Sequence, residues 1–348
     1  MPELNLTQDI GVKIKVFRIA PVRLSFNQER LWFIDQREGS VQYHEPAVLR
    51  LKGALDKAAL AFAFRQIVNR HEVLRTVIIA EEGIPYQHVQ PPDRWELEIV
   101  DEPLLQANPD ALHQRIKALT DAPFDLSRHH MLRASLIVLE KEEHLLVVTM
   151  HHIAVDGWSK GILIQELHTL YDAYISGHAA QLAPLPIQYT DYAIWQRTHI
   201  TGDLLEEQLA YWKDKLQGVT PLDLPTDHIR PVLQSNRGAE IRFQIDPALA
   251  LALNQFSRRH KVTLFITMLT TFKVLLYRYS GQTDICVGTP VAGRRKKEVR
   301  GLIGFFINTL ALRSDLRHDP VFIDLLQQVK QTTRGALDNQ DAPIEKIV

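Results

Sequence analysis

Cysteine, net charge and long apolar runs are all scarce in this chain of 348 residues, and each scarcity excludes a class of protein. Cys286 is the only cysteine, which excludes an internal disulfide and suits a reducing compartment. Lys and Arg number 40 against 41 Asp and Glu, so no basic field attracts nucleic acid or an anionic membrane. No apolar run reaches the roughly 18 residues of a membrane span, and residues 1–10 do not resemble a signal peptide. These features predict a cytoplasmic protein without nucleic-acid or membrane partners.

Strand and helix patterns alternate along most of the chain, which predicts an α/β (α+β) fold with mixed sheets. We expect an N-terminal lobe over 1–178 and a C-terminal lobe over 179–348. The second lobe begins with a connecting segment, 179–235, that is rich in proline and carries one polar helix, at 204–218. Strands are predicted at 48–53, 76–79, 85–89, 131–140, 144–152, 239–245, 284–293 and 307–316. Further helices are predicted at 57–75, 104–122, 160–177, 247–261 and 263–281.

The sequence TMHHIAVDGWS, residues 149–159, places His151, His152 and Asp156 between a buried strand pattern and a helix. Solvated or core-satisfied histidines are the ordinary interpretation of such a pair. Metal binding is disfavoured because neighbouring residues of an extended segment point to opposite faces, and no second cluster of Cys, Glu or His completes a ligand set. We also expect no Ser-His-Asp hydrolase, because we identify no G-x-S-x-G nucleophile elbow in the chain. Cys286 lies inside an apolar strand pattern, so it is not a candidate nucleophile.

The remaining chemistry is acyl transfer without a protein nucleophile, in which one histidine hydrogen-bonds the attacking group. Alternation along the strand predicts that His151 and His152 divide the roles, one facing a cleft and the other packing behind it. Asp156 and Gly157 predict a tight turn into the following helix. A carboxylate in that turn is expected to pair with an arginine rather than to take part in the chemistry.

Six segments, in one order along the chain, resemble the motifs of condensation domains of nonribosomal peptide synthetases, relatives of chloramphenicol acetyltransferase. HHIAVDG (151–157) is similar to the HHxxxDG signature of that family. The other five segments are LSFNQERLWF (24–33), RHEVLRT (70–76), YTDYAIWQR (189–197), IGFFINTLALR (303–313) and NQDAPIE (339–345).

The resemblance implies two acetyltransferase-like lobes in a V shape with the active site between them. It implies a peptide bond formed between a donor acyl or peptidyl thioester and the amine of an acceptor aminoacyl thioester. Each would be carried on the phosphopantetheine arm of a peptidyl carrier protein, beside an adenylation domain, with no tightly bound cofactor and no metal. His152 would position the amine or act as base, His151 would support it, and Asp156 would pair with Arg294. Further residues match motif positions: Gly157, Arg75, Trp158, Asn308 and Asp341. Apart from Arg294, the segment RRKKEVR (294–300) predicts a solvated basic loop, which holds Lys296, Lys297 and Arg300.

Two features depart from the family pattern. Tyr43 and His44 stand in a stretch that is often more apolar in the family, so the entrance near them is expected to differ. The chain ends at PIEKIV (343–348), before the last motif of the family, which predicts a truncated second lobe. Patterns around RHEVLRT, HHIAVDGWS and LPTDHIRP favour the subtype that joins two L-configured residues. The alternatives are a free-standing acyltransferase acting on a small soluble acceptor and a catalytically silent module that docks carrier proteins.

Overall fold

The computed structural model describes residues 14–15, 21–232 and 238–347, and it divides into two compact units. The first takes the chain up to Ile200 together with Ala292–Ile307, and the second takes Thr201–Val291 together with the chain from Asn308. The first unit therefore extends beyond the predicted lobe boundary at residue 178 and includes a later segment that carries Arg294. The end of the predicted connecting segment, 233–235, lies outside the described residues.

The first unit is built on two sheets. In the three-stranded sheet β1 (Val22–Arg23), β3 (Thr76–Glu81) and β4 (Ile84–Val89) run in the order β1-β4-β3, all antiparallel. The four-stranded sheet has the order β2-β7-β6-β5 and is mixed, because β5 is parallel to β6. Its strands are β2 (His44–Lys52), β5 (Glu98–Val100), β6 (Leu132–Glu140) and β7 (Glu143–His151).

Helices cover these sheets, and several begin at polar caps that the sequence supplies. Ser25 caps α1 by accepting from the Gln28 backbone, and Asp56 caps α2 by accepting from Ala59 N at 2.9 Å. The α2 helix buries Phe64 and Ile67 completely and packs on α5. The helices are α1 (Phe26–Glu38), α2 (Lys57–Arg70), α3 (Pro103–Ala107), α4 (Pro109–Asp121), α5 (Gly157–Ile175) and α6 (Tyr189–His199), with 3₁₀ turns at Val41–Tyr43, Glu72–Arg75 and Lys297–Val299.

The second unit pairs one antiparallel hairpin with helices. Its strands are β8 (Asp284–Val291) and β9 (Asn308–Asp315). A core around the buried Trp212, Ile285 and Leu326 joins the hairpin to the helices. These helices are α7 (Gly202–Leu216), α8 (Pro247–Arg259), α9 (Leu264–Ser280) and α10 (Phe322–Asp338), with a 3₁₀ turn at Ile344–Lys346.

Most predicted elements form, but some differ or were not predicted. The helix predicted over 57–75 ends at Arg70 and is followed by the 3₁₀ turn Glu72–Arg75. The helix predicted over 104–122 is two helices, because the Asn108 side chain caps a new start at Asp110 N and Ala111 N and Pro109 cannot donate the bond that would continue α3. The α1, α6 and α10 helices and the β1 and β5 strands have no counterpart among the predicted elements. The strand predicted at 239–245 is wrong: the described chain there has no paired strand.

The α8 and α9 helices reach the length and hydropathy of a membrane span only as a pair, and that pair is bent by 104°. No single helix among the described residues reaches them alone.

The α9 helix leaves one apolar face uncovered, which leads to a prediction about local stability. Phe265, Met268, Phe272, Leu275 and Tyr279 recur at helical spacing and are 38–66% exposed. Exposed apolar surface contributes little to the free energy of unfolding, so the second unit should open more readily than the first. We expect amides of α9 to exchange with deuterium faster than those of α2, unless another chain covers this face. Uniformly slow exchange in both helices, in a preparation shown to be monomeric, would contradict this prediction.

Candidate functional site

The TMHHIAVDGWS sequence forms a strand-to-helix junction, as predicted. The β7 strand ends at His151, residues 152–154 form a turn, Asp156 caps α5, and Gly157 is the first residue of the helix. The space beside Gly157 is free of other described residues. A Cβ at this position would have no described heavy atom within 4 Å, apart from its chain neighbours and its own helix backbone. The junction is therefore held by regular structure on both sides and remains open at the start of α5.

His151 packs behind the junction. Its side chain is fully buried, its Nδ1 accepts the Ile153 backbone N–H at 3.1 Å, and its Nε2 therefore carries the proton and donates to Ser40 Oγ at 2.9 Å. Burial lowers the pKa of His151 to about 3, with repulsion from His44, His152 and Arg133 as the smaller causes. His151 is thus a neutral structural group at physiological pH.

His152 points the other way and is only partly buried. Its side chain is 22% exposed and its ring lies 4.8 Å from that of Phe305. Nδ1 lies 2.7 Å from the Val155 carbonyl, and because a carbonyl can only accept, Nδ1 carries the proton. In the neutral form of the ring the lone pair therefore lies on Nε2, and such a lone pair is what a base or an acceptor for an amine N–H requires.

Asp156 and Arg294 form a buried ion pair, as the expected partnership requires. Arg294 donates to both carboxylate oxygens at 2.9 and 3.1 Å, and the side chains are 0% and 1% exposed. The remaining Asp156 capacity is taken by Ser159 and by the Phe306 backbone N–H, and Arg294 also donates to the Val299 and Leu302 carbonyls. Burial lowers the pKa of Arg294, while Asp156 opposes that shift. The contacts of this pair among the described residues are all with other groups of the protein, as the sequence-based hypothesis of a structural ion pair requires.

Ser159 contacts both members of this pair, and it belongs to a sequence pattern of serine hydrolases. Residues 157–161 read GWSKG and match the G-x-S-x-G pattern of serine hydrolases, so the argument from the sequence against a hydrolase is wrong. The structure shows why Ser159 does not serve as a nucleophile. Ser159 is 1% exposed, its hydroxyl donates to Asp156 at 2.7 Å, and it accepts from Gly304 N at 3.1 Å. This hydroxyl is not available to a substrate.

The basic segment around Arg294 is less solvated than expected. Lys297 and Arg300 are exposed, as predicted, but Lys296 is 8% exposed, so its predicted place in a solvated loop is wrong. Its ammonium lies 5.4 Å from the centre of the Trp195 ring, and this aromatic face lowers the cost of burying the charge.

The remaining predicted site residues make mostly structural contacts. Arg75 donates to the Gln90 carbonyl and lies 3.5 Å from Glu72. Trp158 is half exposed and donates to the Arg300 carbonyl at 3.0 Å. Asn308 and Asp341 belong to the second unit, where Asn308 donates to the carbonyls of Gln340 and Ala342, on either side of the half-buried Asp341.

Several motif segments converge on the junction through groups that the sequence did not single out. His71 accepts from Ile303 N at 3.2 Å and pairs with Glu166 at 2.9 Å, while Gln28 donates to the Ile153 carbonyl at 3.2 Å. Tyr189 donates to the Phe305 carbonyl at 2.6 Å. A Cβ at Gly304 would lie 2.4 Å from the Tyr189 ring, which explains glycine in IGFF. These contacts fix Phe305 beside His152.

The buried state of His151 predicts a specific acid sensitivity. The unfolded chain binds this proton near pH 6.5 and the folded chain only near 3, so the free energy of unfolding falls as pH drops through 6.5. From pH 7 to pH 5 this group alone should cost about 2 kcal/mol. His151→Gln should flatten that loss by a similar amount in urea unfolding. Equal pH dependence in both proteins would show that His151 is not the responsible group.

Comparison with known proteins places these features in one family. The condensation domain model matches residues 20–348. The chain is 46% identical over 340 residues to one of the linear gramicidin synthase proteins of Brevibacillus parabrevis, covering 96% of this chain and 4% of that one. Among solved structures, the X-domain in complex with OxyB from teicoplanin biosynthesis matches with a TM-score of 0.87 and 30% identity, covering 96% of this chain and 74% of that one.

A larger structure shares the fold. A four-domain nonribosomal peptide synthetase bound to AMP and glycine matches with a TM-score of 0.82 and 23% identity, covering 98% of this chain and 26% of that one. The chain thus spans a small part of the peptide synthetases that it matches.

Proposed function

This chain belongs to the condensation domain family of nonribosomal peptide synthetases, and we propose that it transfers a donor acyl or peptidyl group to the amine of an acceptor aminoacyl group. Condensation domains are acyltransferases that form amide bonds from substrates held on carrier proteins. The observation that carries the proposal is His152: Nδ1 is locked to the Val155 carbonyl and Nε2 is left to meet an amine.

Amide-bond formation from a thioester does not require a strong base. An α-amine with a pKa of about 7.7–8.0 is already roughly one-tenth neutral at pH 7, and a thioester is a reactive acyl donor. His152 can therefore act by orienting the amine and by stabilising the tetrahedral intermediate, as well as by taking a proton. Its ring is held in place for that task by the Val155 carbonyl and by Phe305.

The finer features of the reaction are also proposals. Both acyl groups would arrive on phosphopantetheine arms of donor and acceptor carriers, next to an adenylation domain, and the reaction would take place in the cytoplasm. The free thiol of Cys286 is compatible with a reducing compartment. The retained histidine pair argues against heterocyclisation, where aspartates take its place, and RHEVLRT and LPTDHIRP support joining two L-configured residues.

A second candidate function is docking without catalysis. It is favoured by the similarity to the X-domain that was solved in complex with OxyB. The orientation of His152, whose Nδ1 is bonded to the Val155 carbonyl, argues for catalysis instead, since a docking surface needs no imidazole held in one tautomer at a helix start.

One experiment separates the candidates. The purified chain is mixed with donor and acceptor carriers loaded with a panel of L-amino acids, and intact mass spectrometry follows the acceptor carrier. A dipeptidyl-carrier product supports condensation, whereas product only with soluble amines indicates a free-standing acyltransferase. Carrier binding without any product indicates docking and would overturn the proposed reaction.

A further inference from the structure

Glu45 lies beside Nε2 of His152. In the β2–β7 pairing Glu45 stands opposite Met150, and because side chains alternate, Met150 and His152 point to the same face. One Glu45 carboxylate oxygen lies 3.6 Å from His152 Nε2, and the other lies 2.5 Å from Lys160 Nζ on α5. These three side chains are 26%, 22% and 42% exposed, so a substrate can reach them.

The arrangement places two hydrogen-bond acceptors side by side. The bond to the Val155 carbonyl places a proton on Nδ1, so the neutral form of His152 has only a lone pair at Nε2. An ionised Glu45 likewise only accepts, and 3.6 Å is longer than a direct hydrogen bond. Two acceptors that face the same space are satisfied together by one group with several N–H donors, and an alkylammonium is such a group.

We propose that Glu45 binds the α-ammonium of the acceptor and positions it for proton transfer to His152. This inference rests on the proposed function. The ammonium donates one N–H to Glu45 and gives a second proton to Nε2. The amine nitrogen then forms the C–N bond to the donor carbonyl, and the C–S bond breaks with its electron pair leaving on sulfur. The nitrogen loses one more proton and the sulfur gains one, so that amide, thiol and one released proton balance the reactants.

Lys160 contacts only one of the two oxygens of the Glu45 carboxylate. Its contact occupies the oxygen that faces away from His152 and leaves the other oxygen for the ammonium. The pair is partly solvated, so the lysine contributes little stability and chiefly sets the orientation. His44 and His151 lie on the other face of the sheet, where their rings pack against Phe124, and do not compete for Glu45.

The test compares acceptors that differ only in the charged group. Carriers bear alanyl or lactyl, leucyl or 2-hydroxyisocaproyl, and phenylalanyl or phenyllactyl groups, each linked to pantetheine by a stable amide. At pH 7 the wild-type chain should bind the amine of the preferred pair about tenfold more tightly than the hydroxyl analogue, the size of one charge-assisted hydrogen bond. Glu45→Gln should reduce that ratio to within about twofold.

Glu143→Gln is the matched control, because Glu143 lies on β7 at the far end of the same strand pair and contacts Arg50. It should keep the wild-type ratio. A Glu45→Gln chain that retains the amine preference, or a wild-type chain that has none, would overturn the role of Glu45.

Turnover separates this inference from the function on which it rests. With loaded carriers Glu45→Gln should raise KM for the acceptor about tenfold and leave KM for the donor unchanged. If Glu45→Gln loses the amine preference and the wild-type chain shows no turnover, Glu45 binds the ammonium and the proposed catalysis is rejected. Wild-type turnover that Glu45→Gln leaves unchanged would reject the Glu45 site alone.

Discussion

His152→Ala is expected to lower amide-bond formation by roughly 10²–10⁴-fold while the melting temperature stays within about 3 °C of the wild type. The catalytic loss follows because Nε2 is the lone pair that the junction presents to an amine. The small change in stability follows because the side chain is 22% exposed and gives up one hydrogen bond, to Val155. Rates with loaded carriers and thermal unfolding measure the two effects.

Two further variants sharpen that test. His178→Ala removes an exposed histidine just after α5 and should retain full turnover. His152→Gln keeps a polar group without a basic nitrogen, so turnover well above that of His152→Ala would assign the main role to positioning. Near wild-type turnover in His152→Ala would show that the assignment of His152 is wrong.

The sequence was most informative where periodicity and caps agree. The β6–β7 pair, α2 and α5 form where predicted, because a continuous buried strand pattern or a clear apolar stripe specifies each one locally. The division of the two histidines between buried and accessible faces is also a local consequence of strand alternation.

Elements that depend on distant partners were missed or misassigned. The alternation at 239–245 favours a strand, but a strand forms only beside another, and Ile241 and Phe243 are 89% and 82% exposed. The α6 helix buries Asp191 and Gln196, so its buried face does not look apolar in the sequence. Gln196 accepts from Phe26 N, a contact between residues 170 positions apart that no local pattern reveals.

Distance along the sequence also explains which site residues were predicted and which were missed. Asp156 and His152 stand in one short motif, whereas Glu45 reaches His152 only through the register of β2 on β7. The stretch around Tyr43 and His44 stands out in the sequence, and the structure gives its contacts: the Tyr43 carbonyl accepts from His152 N at 2.9 Å, and His44 packs on Phe124.

Asp156→Ala is expected to destabilise the fold by about 3–5 kcal/mol, far more than it slows chemistry in the molecules that remain folded. The substitution leaves the Arg294 guanidinium buried without its carboxylate, and it removes the N-cap of α5 and the acceptor for Phe306 N. Urea unfolding gives the free energy, and turnover is measured well below the melting temperature of the variant.

Arg294→Met in the Asp156→Ala background provides the control for that prediction. Arg294→Met removes the guanidinium that Asp156→Ala leaves unpaired. The double variant should therefore lose about 1–3 kcal/mol less free energy of unfolding than the two single variants lose together. The recovery will be partial, since the Val299 and Leu302 carbonyls lose the donor they share in Arg294. An Asp156→Ala chain with wild-type stability and no turnover would instead make Asp156 a direct participant in amide-bond formation.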